Sequence, residues 1–287
     1  MEKPFKILMR TYSDMFHKDK YIKNQEKSTE CNAKLATIDE KNIAIKELML
    51  IDKCPVVNPF QYTSRVSIEL SNLCNYANIH KKCPLNLEVE KKILSSNVVM
   101  DIINTLGEFG FNGTIAFHTY NEPLIDPRLF KFIEQTRKAC PACNIYILTN
   151  GYYLTQMLAL ELMEIGVSSI HVSAYTSKEY DRLSKIKLNI PYEVEKMILM
   201  DQVLAIYQSP FIDHKATCFA PLNEIIITRE GDISLCCRDW QRRYTFGNLY
   251  EKGFNEIMKE GLMHAVYKRL KDGDRFLDIC RRCSWTR

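Results

Sequence analysis

Apolar and polar residues alternate over 65–71 (RVSIELS), with Val66, Ile68 and Leu70 on one side and Ser67 and Glu69 on the other. A period of two is that of an extended strand with one buried face. Short runs of the same kind recur at 113–118 (GTIAFH), 144–149 (NIYILT) and 168–174 (SSIHVSA). Between them, near 96–109, 128–139 and 153–165, apolar positions return at helical spacing. Strand and helix in alternation build a parallel sheet with covering helices, because each parallel return needs a crossover. The stretch 187–213 is too short for many further units, and a closed eight-stranded barrel needs more chain than this. The pattern predicts an α/β fold, a partial (β/α) TIM-type barrel of parallel strands over 63–213.

Either side of that rhythm the pattern changes. Residues 1–62 are polar and lysine-rich, with one helix expected near 38–52. Thr37 and Glu40 fit a capping box there, and Ile43, Leu48 and Ile51 form an apolar stripe. We expect an N-terminal extension packed on the main domain. Residues 214–287 carry an apparent β-hairpin, EIIITREGDISLCC, turning at Glu230 and Gly231. A turn and helix, FGNLYEKGFNEIMKEG, follow it. This end predicts a small β-hairpin plus helix domain.

Composition narrows the function classes. A 287-residue chain with 46% hydrophobic residues can bury a large core. The net charge of +4 is small and spread along the chain, so it does not point to nucleic acid. No run approaches the roughly 18 apolar residues of a membrane span, and the opening MEKPFKILMR is too polar for a signal peptide. A cytoplasmic protein without membrane or nucleic-acid partners is the expectation. Eleven cysteines then argue for metal or cluster ligation where they occur in spaced groups, since the cytosol keeps thiols reduced.

In parallel α/β folds the loops after the strands gather on one face and build the site. Here they carry Cys74 to Cys83 after the first strand and Tyr120, Asn121, Glu122 and Pro123 after the second. Asn150 and Gly151 follow the third, and Ser173 and Tyr175 end the fourth. A second constellation is Cys218, twelve residues, Gly231, four residues and Cys236, with a terminal C-x2-C at Cys280 and Cys283. Four such thiols can surround one tetrahedral zinc or one cubane cluster. Cys237 falls on the other side of its strand and is the weaker ligand candidate. Cys140 and Cys143 precede the third strand, away from the loop face and without a second pair, and are expected to be structural. Cys31 and Cys54 have no partner at ligand spacing and are expected to be structural too.

The stretch RVSIELSNLCNYANIHKKCP resembles the first strand and cluster loop of radical S-adenosylmethionine (SAM) enzymes, where C-x3-C-x2-C binds a [4Fe–4S] cluster. TYNEPLIDP is similar to that family's GGEP segment, with Tyr120 and Asn121 in place of glycines. ILTNG at 147–151 and HVSAY at 171–175 are similar to its third and fourth strand endings. The pattern of 218–283 resembles the Twitch domain, a shortened SPASM domain holding an auxiliary [4Fe–4S] cluster. The resemblance implies SAM and two [4Fe–4S] clusters as cofactors. Cys74 and Cys83 would hold the SAM-binding cluster, with Cys218, Cys236, Cys280 and Cys283 holding the auxiliary one. The first loop has two cysteines where the family has three; His80 gives C-x5-H-x2-C, and neutral imidazole can ligate iron. The alternative is that His80 is a plain loop residue. Glu122 would accept from the SAM ammonium and Asn150 and Ser173 would serve its ribose or carboxylate, with Asn121 and Tyr76 as further cofactor contacts. No residue is assigned to substrate chemistry. The implied activity is a radical SAM oxidoreductase that takes hydrogen from a small hydroxylated substrate, such as a sugar, sugar nucleotide or aminocyclitol, and dehydrogenates it. Flavodoxin or ferredoxin would donate electrons. A peptide maturase and a non-catalytic iron–sulfur protein are the alternatives.

Overall fold

The structure is a computed structural model and describes residues 36–77, 83–87, 90–197, 206–212 and 215–284. The first helix, α1 (Ile38–Met49), opens with the expected capping box: Glu40 N donates to Thr37 Oγ1 at 3.2 Å and Thr37 N to Glu40 Oε2 at 2.8 Å. Ala44 and Leu48 are buried, whereas Ile43 of the expected stripe is exposed. Arg243 reaches Glu40 at 2.9 Å and the Tyr244 hydroxyl reaches Glu47 at 2.6 Å, so α1 packs on the C-terminal part of the chain.

The chain then runs β1 (Arg65–Ile68), α2 (Ser96–Glu108), β2 (Thr114–Ala116), α3 (Leu129–Ala139), β3 (Asn144–Thr149), α4 (Gln156–Glu164), β4 (Ser169–Ala174), α5 (Ser177–Leu183) and β5 (Tyr192–Lys196). It continues through α6 (Ala220–Asn223), β6 (Glu224–Ile227), β7 (Asp232–Ser234), β8 (Thr245–Asn248), α7 (Phe254–Glu260), α8 (Leu262–Lys271) and α9 (Asp278–Arg282). The strand order is β5-β4-β3-β2-β1-β6-β7-β8 in one sheet. Strands β1 to β6 are parallel to their neighbours, and β7 and β8 join antiparallel. The four expected strands form as a partial barrel. The fifth, YEVEK, escapes a hydrophobicity reading because three of its five residues are charged.

The two faces of the sheet divide by the strand period. Val66, Ile68, Ile115, Ile145, Ile147 and Val172 lie at most 1% exposed in the main core. The other face carries Ser67, Tyr146, His171 and Ser173, and the same period continues past the strand ends to Glu69 and His118. His118 and Tyr146 meet edge to face with centroids 5.9 Å apart. His171 stands between Glu193 at 3.3 Å and Glu195 at 3.4 Å. One face is oil and the other is polar, as a barrel that takes a polar ligand requires. Cys140 and Cys143 are buried below α3, at the far end from the loop face. No helix among the described residues is long and apolar enough to cross a membrane.

Candidate active site

The loops after β1 to β4 meet as the strand order demands. Cys74 is held by its surroundings: its sulfur accepts from Tyr76 N at 3.4 Å and from Asn150 Nδ2 at 3.8 Å. Asn150 Nδ2 also donates to Asn75 Oδ1 at 2.8 Å. Burial pushes the Cys74 thiol up to about 12, with the charge of Glu122 adding to it. A coordinated metal reverses that logic, because it deprotonates the thiol it binds. Asn150 can sit here because Gly151 turns with φ +74°, where an added Cβ would lie 2.6 Å from Val172.

Glu122 is the hub of these loops. Its N donates to Leu73 O at 2.9 Å, next to Cys74. Its Oε1 accepts from Thr149 Oγ1 at 2.7 Å and Leu124 N at 3.0 Å, and its Oε2 from Asn150 N at 2.7 Å. Burial raises its carboxyl to about 7 against the pull of those bonds. Oε2 carries one bond and has capacity for a second donor. Glu122→Gln would turn an amide N–H₂ toward one of these N–H or O–H donors. We expect it to cost about 1–3 kcal/mol of stability, the usual effect of a buried unsatisfied group, read as a lower midpoint in urea unfolding.

Aromatic rings flank Cys74. Tyr76 and Tyr175 lie with ring centroids 5.0 Å apart, and Tyr152 sits edge-on to Tyr76 at 6.3 Å. The Tyr76 hydroxyl bonds Glu179, whose N is capped by Thr176 at 3.1 Å. Burial raises the Tyr175 phenol, with Cys74, Cys83 and Glu122 adding to the shift. Tyr152 and Glu179 are absent from the sequence reading; neither lies in a motif, and only the turn after Gly151 hints at the first. Ser173 is buried on the polar face of β4. Asn121 accepts from Thr119 N at 3.0 Å through Oδ1, while its buried Nδ2 has no hydrogen-bond partner. An orphaned donor in this loop suits a polar cofactor. Cys83 is half-buried just past the loop, and His80 lies outside the described residues.

The second set of thiols occupies the sheet's other end. Cys280 and Cys283 are buried at α9, while Cys218 and Cys236 are half-buried and pack on the same core. Burial raises Cys280, with the charges of Cys218 and Cys283 adding and Arg275 opposing. Cys236 is raised by burial, then by Cys237, Cys280 and Asp239. None of these thiols is in a disulfide. Among the described residues no three His, Cys, Asp or Glu side chains form a metal-ion group. Arg275 fixes the approach to Cys218 by donating to Ala216 O at 2.7 Å and Thr217 O at 3.1 Å. Asp239 pins the turn after Cys236, accepting from Arg243 N at 2.9 Å and Tyr244 N at 2.8 Å. Four free thiols on one core, two of them buried, are the donor type that an iron–sulfur cluster takes as thiolates.

A buried ion network joins the two sets. Glu69, 1% exposed, accepts from Arg229 Nη1 at 2.9 Å, Arg242 Nη2 at 2.7 Å and Tyr120 N at 3.2 Å. Arg242 also bonds Glu230 in the hairpin turn. A small cleft lies alongside, bordered by Glu69, Tyr120, Thr228, Ser234, Cys236 and Arg242.

Residues 218–284 match the model of the SPASM iron–sulfur cluster-binding domain. The chain is 24% identical over 239 residues to the S-adenosyl-L-methionine-dependent 2-deoxy-scyllo-inosamine dehydrogenase of Niallia circulans, covering 77% of this chain and 92% of that one. It superposes on the crystal structure of BtrN in complex with AdoMet and 2-DOIA with a TM-score of 0.66 at 23% identity, covering 78% of this chain and 93% of that one. Against native anSMEcpe with bound AdoMet the TM-score is 0.50 at 13% identity, over 77% and 86% of the two chains. The partial-barrel fold and the resemblance to radical SAM enzymes with a SPASM-type C-terminal domain are borne out. The curated relative and the SPASM match also support the reading of an oxidoreductase of radical SAM type.

Proposed function

We propose that this chain is a radical SAM oxidoreductase that cleaves SAM reductively and dehydrogenates a small hydroxylated molecule, a sugar, sugar nucleotide or aminocyclitol. The observation that carries the reading is the meeting of four strand-end loops around Cys74, on the same sheet that positions four thiols at its other end. When bound, SAM with a reduced [4Fe–4S] cluster supplies hydrogen abstraction, and an auxiliary cluster supplies an electron acceptor. Cys74, Cys83 and His80 would hold the first cluster, and Cys218, Cys236, Cys280 and Cys283 the second. Asn121, with its unpaired buried donor, and Glu122, with its free acceptor site, would orient the amino acid part of SAM. Tyr76, Asn150 and Ser173 would complete its pocket. The polar face of the sheet below suits a substrate rich in hydroxyls, because buried polar groups need partners of their own kind. A flavodoxin or ferredoxin would deliver electrons in the cytoplasm. Residues 63–213 would serve SAM and residues 214–287 the auxiliary cluster.

The kinship of the curated relative supports the substrate class. The test is incubation of anaerobically reconstituted protein with SAM, reductant and aminocyclitols or sugar nucleotides deuterated at their carbinol carbons. Deuterium should appear in 5′-deoxyadenosine, with a ketone product. Label arriving only from a deuterated peptide would replace this reading by the maturase.

His80 is tested separately. His80→Ala should lose the first cluster and spare the auxiliary one, halving the iron, while His80→Cys should keep it at a lower potential because thiolate adds negative charge. Full iron in His80→Ala would place the third ligand elsewhere.

A further inference from the structure

Where the SAM-binding segment of the resembled family has glycine, this chain has Tyr120, whose buried phenol is set among Cys237, Cys83, Glu69 and Cys236. The hydroxyl donates to Cys237 O at 2.7 Å, across the cleft. That carbonyl belongs to the peptide whose N–H is Arg238's, and the Arg238 N–H in turn donates to the Cys236 sulfur. A continuous line of donors and acceptors therefore runs from the Tyr120 hydroxyl through the 237–238 peptide to Cys236. The start of the line is fixed: Tyr120 N bonds Glu69 Oε1 at 3.2 Å, and Glu69 is clamped by Arg229 at 2.9 Å and Arg242 at 2.7 Å. Two residues on, Glu122 N bonds Leu73 O at 2.9 Å, so the segment 120–122 is tied to both sets of thiols.

We propose that Tyr120 tunes the auxiliary cluster at a distance, by polarising the 237–238 peptide and so strengthening the N–H···S bond to Cys236. Hydrogen bonds in a chain reinforce one another. Bonds to ligand sulfurs stabilise the added negative charge of the reduced cluster and raise its potential. Tyr120 is thus a positioning residue whose hydroxyl sets how readily the cluster accepts an electron from the substrate side. The proposal rests on the reading of Cys236 as a cluster ligand.

The experiment is a redox titration of the fully reconstituted protein, followed by electron paramagnetic resonance, with iron counted per chain. Tyr120→Phe keeps the ring and removes the donor. It should retain full iron and shift the auxiliary midpoint to a more negative value, by more than it moves the SAM-binding cluster, because only Cys236 is reached by the hydrogen-bonded line. Site-specific 3-fluorotyrosine at 120, a more acidic donor, should shift the auxiliary midpoint the other way. Opposite shifts that are larger at the auxiliary cluster are something loosened packing would not produce. Should Tyr120→Phe lose iron, the fluorinated variant, which keeps ring and hydroxyl, decides alone. An unmoved auxiliary midpoint in the fluorinated protein, or equal shifts of both clusters, would overturn the proposal. If unmodified protein holds no C-terminal iron, the cluster assignment itself fails, which is a separate and recognisable result.

Discussion

Cys236→Ala should remove the proposed auxiliary cluster, about four irons per chain, and should leave iron at the first loop in place. Cys236 neighbours Cys280 of α9, and Cys280 in turn neighbours Cys218 and Cys283. Three remaining thiols cannot complete the ligand set. The variant should still cleave SAM, since Cys74 and its loops lie on other strands. It should form no oxidised product, because the electron left on the substrate has lost its acceptor. Cys237→Ala should keep its iron: its bond from Tyr120 is to the backbone carbonyl, which any side chain preserves. Stoichiometric zinc in place of iron in anaerobically purified protein would contradict the assignment.

The second large effect is on stability. Glu69→Gln should destabilise the apo protein by about 3–5 kcal/mol, the usual cost of breaking a buried ion pair from one side. Glu69 and Arg229 are 1% and 2% exposed, and Arg242 reaches the same carboxylate at 2.7 Å. Loss of the carboxylate leaves two guanidinium groups close together, with Glu230 as the remaining anion of the network. The network also seams the barrel strand β1 to the hairpin, so the unfolding should remain one cooperative step at lower urea. Arg229→Met in the same background should recover part of the loss, by removing a cation that the amide no longer balances. A change below about 1 kcal/mol, the range of exposed pairs, would show that the network is solvated.

Much of this was legible in the chain. The two-residue alternation at RVSIELS reports a sheet with one apolar and one polar face, and Ser67 and Glu69 do lie on the polar one. The capping box at Thr37 and Glu40 is local chemistry and forms as read. What escaped is what depends on distant partners. Strand β5 is polar because it borders the sheet, and its glutamates face His171, so no apolar run marks it. The parallel pairing of 224–227 with 65–68 joins residues more than 150 positions apart and leaves no short-range signature; the hairpin therefore read as separate from the barrel. Ile43 looked like part of a buried stripe, yet α1 presents Ala44 and Leu48 to the core. Likewise the bond from Tyr120 to Cys237 could not be inferred from a tyrosine standing where glycine was expected.

The central claim is tested most directly by the products of SAM under strong reductant. Anaerobically reconstituted protein, given SAM and dithionite, should release 5′-deoxyadenosine and methionine in equal amounts, and Cys74→Ala should release neither. Fully loaded protein that yields no 5′-deoxyadenosine with any of the hydroxylated substrates would contradict the account and leave an iron–sulfur protein without radical chemistry.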